Sequence, residues 1–247
     1  MISELYHENT KLGPHAGSHP TEYSVDELAV VTRAYKEYRL HRRVPLPAPP
    51  TSTRPFDEVV AARRSVREFT DTELQLWELG KVLHQAYGVT GGMPFAGGGV
   101  HGLRAAPSAG ALYPAEIYLG ARWVAGLPAG LYHYDVRDHA LALLQDGDPT
   151  ERLYEACCFQ EYARTAAVVV IIAAALRRTK RRYGERGYRY VLLDVGHLTQ
   201  NLLLSAGALG LGALTTCGFY DDVANELLRL DGVDEAVLYV AFLGRSE

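Results

Sequence analysis

Cysteine is scarce: the chain has three in 247 residues, two of them adjacent (Cys157 and Cys158) and the third at Cys217. That number and spacing make neither a disulfide framework nor a metal knuckle. No metal site is expected, and the thiols are read as reduced. Long hydrophobic runs are absent too, and none approaches the roughly 20 residues that span a bilayer. Charge of one sign is missing: 25 Lys and Arg face 29 Asp and Glu, for a net −4. No basic balance therefore argues for nucleic acid or a membrane surface. The opening MISELYHENTKLG lacks the basic-then-apolar pattern of a signal peptide, so a cytoplasmic setting is expected. P-loop, HExxH and GxSxG motifs are absent. GGG at 97–99 and GLG at 210–212 do not follow a strand and open a helix, which excludes a Rossmann dinucleotide loop.

What is present is an ample core, with 48% hydrophobic residues. The length suits one large domain or two small ones. The first 20 residues are polar and read as irregular. SVDE at 24–27 is a capping box, and Leu28, Val31, Tyr35 and Tyr38 continue it at helical spacing. VPLPAPP at 44–50 ends that helix as a stiff extended linker. Residues 1–50 thus read as an arm, and 51–247 as the main domain.

The domain opens with a short helix over 56–63. TDTE at 70–73 predicts the start of a second helix, carrying Leu74, Trp77 and Leu83 and ending near Gly88. Residues 88–110 are glycine-rich and read as loose. Strands are expected at 116–122, 130–134 and 140–145, the last two as a hairpin. DPTE at 148–151 caps another helix. The Val- and Ile-rich run 166–175 suits a fully buried central strand. A basic stretch, RRTKRRYGERGYR, follows. Residues 189–209 predict a long helix, apolar nearly all round and therefore buried. A strand (213–217), a helix (221–230) and a strand (236–243) close the chain. Strands and helices do not alternate regularly, so the class is α+β.

Three stretches carry candidate chemistry. ARRSVREF gathers Arg63, Arg64, Ser65 and Arg67. Guanidinium groups grip phosphate bidentately and a hydroxyl adds a bond; the alternative is a solvated basic turn. PSAGALYPAEIY, from Pro107 to Tyr118, is a small, nearly uncharged turn before a strand. Tyr183, in RRYGERGYR, sits straight after the central strand. A tyrosine so placed serves as an acid or base if neighbouring arginines lower its pKa; the alternative is an exposed basic loop. Asp194 and His197, three apart on the long helix, read as satisfied core residues.

In order, ARRSVREF, YGVTGG, RAAPSAGALYPAEIYL and RRYGERGYRYVLLDVGHLTQNLLLSAGALGLG resemble the SagB-type dehydrogenases of the FMN-dependent nitroreductase superfamily. The likeness covers roughly 54–245, and LYHENTK is similar to the family's leader region. It implies a nitroreductase-like α+β fold, with a central mixed or antiparallel sheet flanked by helices. It also implies an intertwined homodimer with FMN at the subunit interface. By resemblance, Arg63, Arg64, Ser65 and Arg67 hold the FMN phosphate, ribityl chain and pyrimidine edge. Arg67 would stand near N1–O2. Pro107, Ser108, Ala109, Gly110 and Leu112 would pack on the flavin from the partner subunit. The loop of Thr215, Thr216, Cys217 and Gly218 would lie against the other part of the ring, with a backbone N–H of Cys217 or Gly218 facing N5. Gly244 and Arg245 resemble the C-terminal phosphate contact. Many family members carry a catalytic Lys-Tyr pair where this chain has Arg182 and Tyr183. Arginine stays protonated and is no base, which leaves Tyr183 and, in place of the missing amine, Lys180.

The implied activity is oxidation of a thiazoline or oxazoline to the azole in peptide natural-product biosynthesis. Cyclodehydratase and docking-protein partners would accompany it. The competing expectations are a general NAD(P)H-dependent nitro or quinone reductase and a flavin-free scaffolding subunit.

Overall fold

The computed structural model describes residues 1–12, 35–51, 54–94 and 100–247. The capping box at 24–27 and the glycines at 97–99 lie outside them.

Seven strands form one sheet, in the order β1 (Arg43–Pro45), β8 (Ala140–Asp146), β7 (Gly130–Asp135), β5 (Ala115–Ala121), β9 (Val168–Ala175), β11 (Glu235–Gly244) and β10 (Gly212–Thr216). Every neighbouring pair is antiparallel. β9 is paired on both sides, by β5 and β11. Its side chains alternate between two cores. Val168, Val170 and Ile172 face α3 (Leu76–Tyr87) and α7 (Gly187–Ala208). Val169, Ile171 and Ala173 face α4 (Thr150–Ala156), α5 (Tyr162–Thr165) and α8 (Asp221–Leu228). A strand buried on both faces must be apolar at every position, and the run at 166–175 is. β7 and β8 form the expected hairpin. At the start of α4, Asp148 Oδ1 accepts from the Thr150 N–H (2.9 Å).

Several elements differ from the expectations. Residues 2–9, expected to be irregular, form helix α1 (Ile2–Asn9). It is held by Arg186, which donates to the Thr10 carbonyl (2.7 Å), and Arg189, which donates to that of His7 (2.7 Å). TDTE does not start a helix. Thr70 donates its N–H to the Arg245 carbonyl (2.8 Å), and β2 (Leu74–Gln75) pairs in parallel with β6 (Val124–Ala125). α3 starts only at Leu76, where Glu78 accepts from the Gln75 N–H (2.8 Å). The expected loose region 88–110 holds a ribbon of β3 (Val89–Pro94) and β4 (Val100–Arg104). VPLPAPP begins as sheet edge, because Arg43–Pro45 pairs with β8 and Leu46 is buried. The basic stretch after β9 is helix α6 (Leu176–Tyr183) rather than a loop. α7 is not buried all round, for Leu192 and Leu193 are 44% and 59% exposed. Among the described residues no helix is long and apolar enough to cross a membrane.

Candidate functional site

The arginine cluster follows α2 (Phe56–Ala62). The Arg63 N–H closes that helix on the Val59 carbonyl (3.0 Å), and the chain then runs extended. The Val66 N–H donates to the Ala213 carbonyl (3.0 Å), which ties the segment to β10. Arg54, Arg63 and Arg64 line a cleft of about 180 Å³ against Leu203 and Gly207 of α7. Arg64 donates to the carbonyls of Ala61 and Arg63 (3.0 and 2.8 Å). Ser65 and Arg67 are exposed. Among the described residues no carboxylate pairs with Arg63, Arg64 or Arg67. Two such guanidinium groups, Arg63 and Arg64, line the cleft, and a pair of that kind suits an anion.

The PSAG turn is pinned from below. Ser108 donates to Asp194 Oδ2 of α7 (2.5 Å) and accepts from the Tyr113 N–H (2.9 Å). Burial pushes the Asp194 carboxyl up, opposed by its bonds from the Ser108 hydroxyl and the Ala109 amide. His101 donates to the Ala111 carbonyl (2.9 Å). Pro107 and Gly110 are exposed, while Ser108, Ala109 and Leu112 are half-buried. Three residues of the turn are left-handed: Gly110, Ala111 and Tyr113, with φ of 63°, 54° and 48°. Such clustering of strained backbone accompanies functional turns.

Tyr183, the last residue of α6, reaches this turn. A Cβ built on Gly110 would lie 2.6 Å from the Tyr183 hydroxyl and 3.2 Å from Arg182 Nη1. Glycine is thus favoured there twice, by its φ and by the approach of Tyr183. The Tyr183 ring meets Tyr190 edge-on at 5.0 Å, and the Arg182 guanidinium lies 5.5 Å from the Tyr183 ring. Lys180 is ion-paired with Glu185 (3.1 Å). Folding therefore brings Gly110, Arg182 and Tyr183 together from separate segments.

Arg178 anchors α6 beneath them. It donates to the Tyr113 carbonyl (2.6 Å) and to Glu116 (2.8 Å) on β5. His133 bonds the other Glu116 oxygen at 3.0 Å. Burial alone would raise the Glu116 carboxyl. The Arg178 charge and the His133 bond outweigh it and hold the pKa at about 2. Glu116 and Arg178 are not among the residues that the sequence pattern singles out, and Asp194, expected only as a satisfied core residue, holds the PSAG turn. For Glu116 the signal was a carboxylate inside an otherwise apolar strand; Arg178, one of several basic residues in α6, carries none.

The loop after β10 is closed on itself. Thr216 Oγ1 accepts from the Gly218 N–H (2.9 Å), Gln160 donates to the Gly218 carbonyl (2.7 Å), and Cys217 is exposed. Thr215 bonds the Tyr239 hydroxyl (2.9 Å). Gly244 is buried beneath Phe69. Arg245 Nη2 donates to both oxygens of buried Glu78 (2.8 Å each). The two main clusters stand apart within one chain. The PSAG turn sits on Asp194 and the arginine cleft on Gly207, about 20 Å away along α7.

The antiparallel sheet between helical layers, with an arginine cleft and a small-residue turn set apart along one long helix, defines an α+β fold of the nitroreductase type. A profile of the Nitroreductase family matches residues 60–245, and the chain belongs to that family. Its members are FMN-dependent oxidoreductases. MJ1384 of Methanocaldococcus jannaschii, named as a nitroreductase, is 41% identical over 175 residues, 71% of this chain and 84% of that protein. The microcin B17-processing protein McbC of Escherichia coli is 32% identical over 148 residues, 56% of this chain and 53% of McbC. Among solved structures, a nitroreductase-like protein from Anabaena variabilis superposes with a TM-score of 0.78 at 32% identity, over 98% of this chain and 46% of that one. The E. coli microcin synthetase McbBCD complex with truncated pro-MccB17 shares the fold, with a TM-score of 0.62 at 23% identity over 100% of this chain and 92% of that one. Similarity to a microcin-processing protein accords with the SagB-type resemblance.

Proposed function

We propose that the chain is an FMN-dependent dehydrogenase oxidising a thiazoline or oxazoline to the azole in peptide natural-product biosynthesis. The observation that carries this reading is the approach of the Tyr183 hydroxyl to Gly110. It sets a proton-accepting group against the smooth surface assigned to a flavin face. The donor set suits FMN. Unpaired guanidinium groups match a phosphate, and an uncharged turn matches a flat ring.

Arg63, Arg64 and Ser65 would hold the phosphate and ribityl chain. Arg67 would meet the pyrimidine edge, where a cation favours the reduced ring. Pro107, Ser108, Ala109, Gly110 and Leu112 would cover one face. The Gly218 N–H is already bonded to Thr216, so in the loop of Thr216, Cys217 and Gly218 the Cys217 amide is assigned to the N5 edge. Gly244 and Arg245 frame the site, through Phe69 and Glu78. Bound FMN would supply a hydride acceptor. Tyr183 would take the ring proton, with the Arg182 charge beside it. Lys180, ion-paired with Glu185, would stand as the second base.

The separation of the two clusters along α7 supports a site shared between two copies of the chain in a homodimer. The turn of one protomer would face the arginine cleft of a second copy, and exposed Leu192 and Leu193, on α7 just before Asp194, would help join the copies. The McbBCD assembly supports cyclodehydratase and docking-protein partners. The test is the absorption spectrum of the purified protein, followed by mixing with an azoline peptide or with NADPH. A yellow protein whose flavin bleaches with the azoline supports the reading. Rapid bleaching by NADPH alone would replace it with a general reductase, and a colourless protein that takes up no FMN would leave a scaffolding subunit.

A further inference from the structure

We propose that Gln160 is a positioning residue that sets the peptide planes of the Thr216–Gly218 loop, and with them the group this loop turns toward a bound flavin. The inference rests on the FMN reading above. Gly218 is clamped on both sides: its N–H donates to Thr216 Oγ1 (2.9 Å), and its carbonyl accepts from Gln160 Nε2 (2.7 Å). Together the two bonds fix the orientation of the peptides before and after it. With the Gly218 N–H held by Thr216 and its carbonyl by Gln160, both polar groups of Gly218 are engaged, and among the described residues no bond holds the Cys217 N–H, which leaves it as the loop amide for a flavin. A carbonyl facing N5 would oppose two acceptors, whereas an N–H is complementary to it.

Three further observations point the same way. A Cβ on Gly218 would lie 2.8 Å from Gln160 Nε2 and 3.2 Å from Thr216 Oγ1, so the absence of a side chain leaves room for both clamps. The chain reaches Gln160 through a strained elbow, where Cys158 and Phe159 have φ of 55° and 57°. Non-glycine residues adopt that conformation at a cost, and it persists where neighbours enforce it. Here the Phe159 N–H bonds the Tyr154 carbonyl (2.8 Å), and the Tyr220 N–H bonds that of Ala156 (2.8 Å). The Phe159 ring packs edge-on between Tyr154 and Tyr220, at 5.4 and 6.4 Å. Finally, Gln160 Oε1 is buried with no hydrogen-bond partner among the described residues. Such an orphan is destabilising, so the side chain is kept for what its Nε2 does.

The test compares wild type with Gln160→Ala and with Gln160→Glu, which keeps the size and loses the donor. In flavin-free protein, amide hydrogen exchange at Gly218 should quicken by up to about tenfold, the equilibrium weight of one hydrogen bond. In flavin-loaded protein, flavin content should stay within about twofold of wild type while the midpoint potential falls, because N5 has lost an aligned donor. Should Gln160→Ala fail to fold, the isosteric Gln160→Glu carries the comparison. Unchanged Gly218 exchange together with an unchanged potential would overturn the proposal even if FMN binds normally. Failure of wild type to bind FMN would instead strike the reading of function, with the exchange data still deciding the clamp.

Discussion

Gly110→Ala isolates the contact on which the proposed function stands. The residue has φ of 63°, and its Cβ would lie 2.6 Å from the Tyr183 hydroxyl. A left-handed alanine costs about 1–2 kcal/mol. For a chain of this size that lowers Tm by about 2–8 °C. The clash adds a positional effect, because ordinary contact begins near 3.4 Å and Tyr183 must therefore withdraw by almost 1 Å. A misplacement of about that size can lower turnover by about 100-fold. The flavin contacts assigned to the arginines are untouched. Three measurements on one sample decide the matter: thermal unfolding, flavin content from absorbance, and azole formation from an azoline peptide by mass spectrometry. A modest loss of Tm, retained flavin and a fall of about two orders of magnitude in turnover are expected. Turnover at the wild-type level in a folded, flavin-loaded variant would refute the role given to Tyr183 and its turn.

Tyr183→Phe should keep flavin and lose turnover; wild-type rates would make Tyr183 structural. Arg63→Ala and Arg67→Ala should each weaken FMN binding by about 1.5–3 kcal/mol, the weight of a charge-assisted contact. Flavin titration measures this, and unchanged affinity would sink the phosphate assignment. Glu116 should make stability depend on pH. Its folded pKa of about 2 lies below its ordinary 4.5. Its contribution, on the order of 3 kcal/mol, is therefore present above about pH 4.5 and lost as pH falls toward 2. Urea midpoints from pH 7 to pH 3 should record that loss. Glu116→Gln should abolish this part of the slope and destabilise at neutral pH by about 3–5 kcal/mol, since it leaves Arg178 buried without its counter-charge.

Much of the fold is legible because burial writes itself into residue type. A strand covered on both faces has no polar position, and 166–175 has none. The hairpin of β7 and β8 is equally plain. What misled was local chemistry overruled from a distance. TDTE has the letters of a capping box, yet Thr70 is drawn into a bridge with Arg245, 175 positions later in the chain. The glycines after Gly88 look loose until β4 folds back along β3. RRTKRRY looks like a solvated loop, but Arg178 is bound to a carboxylate on β5 that no local pattern announces. α7 looks uniformly buried because its outward leucines match its inward ones. Composition cannot say which leucines a single chain leaves uncovered.

The candidate site divides in the same way. Residue types and motif order, from ARRSVREF through PSAGALYP to RRYGERGYR, suffice to name the family and its candidate residues. The chemistry they suggest is a property of side chains, and side chains are what a sequence records. Distance is not recorded. Only the folded chain brings the Tyr183 hydroxyl against Gly110, holds the PSAG turn on Asp194, and separates that turn from the arginine cleft by most of α7. Each of these joins segments far apart in sequence through contacts of a few ångströms. Such contacts depend on how the helices pack on the sheet, a choice made by the whole core at once and by no short stretch within it.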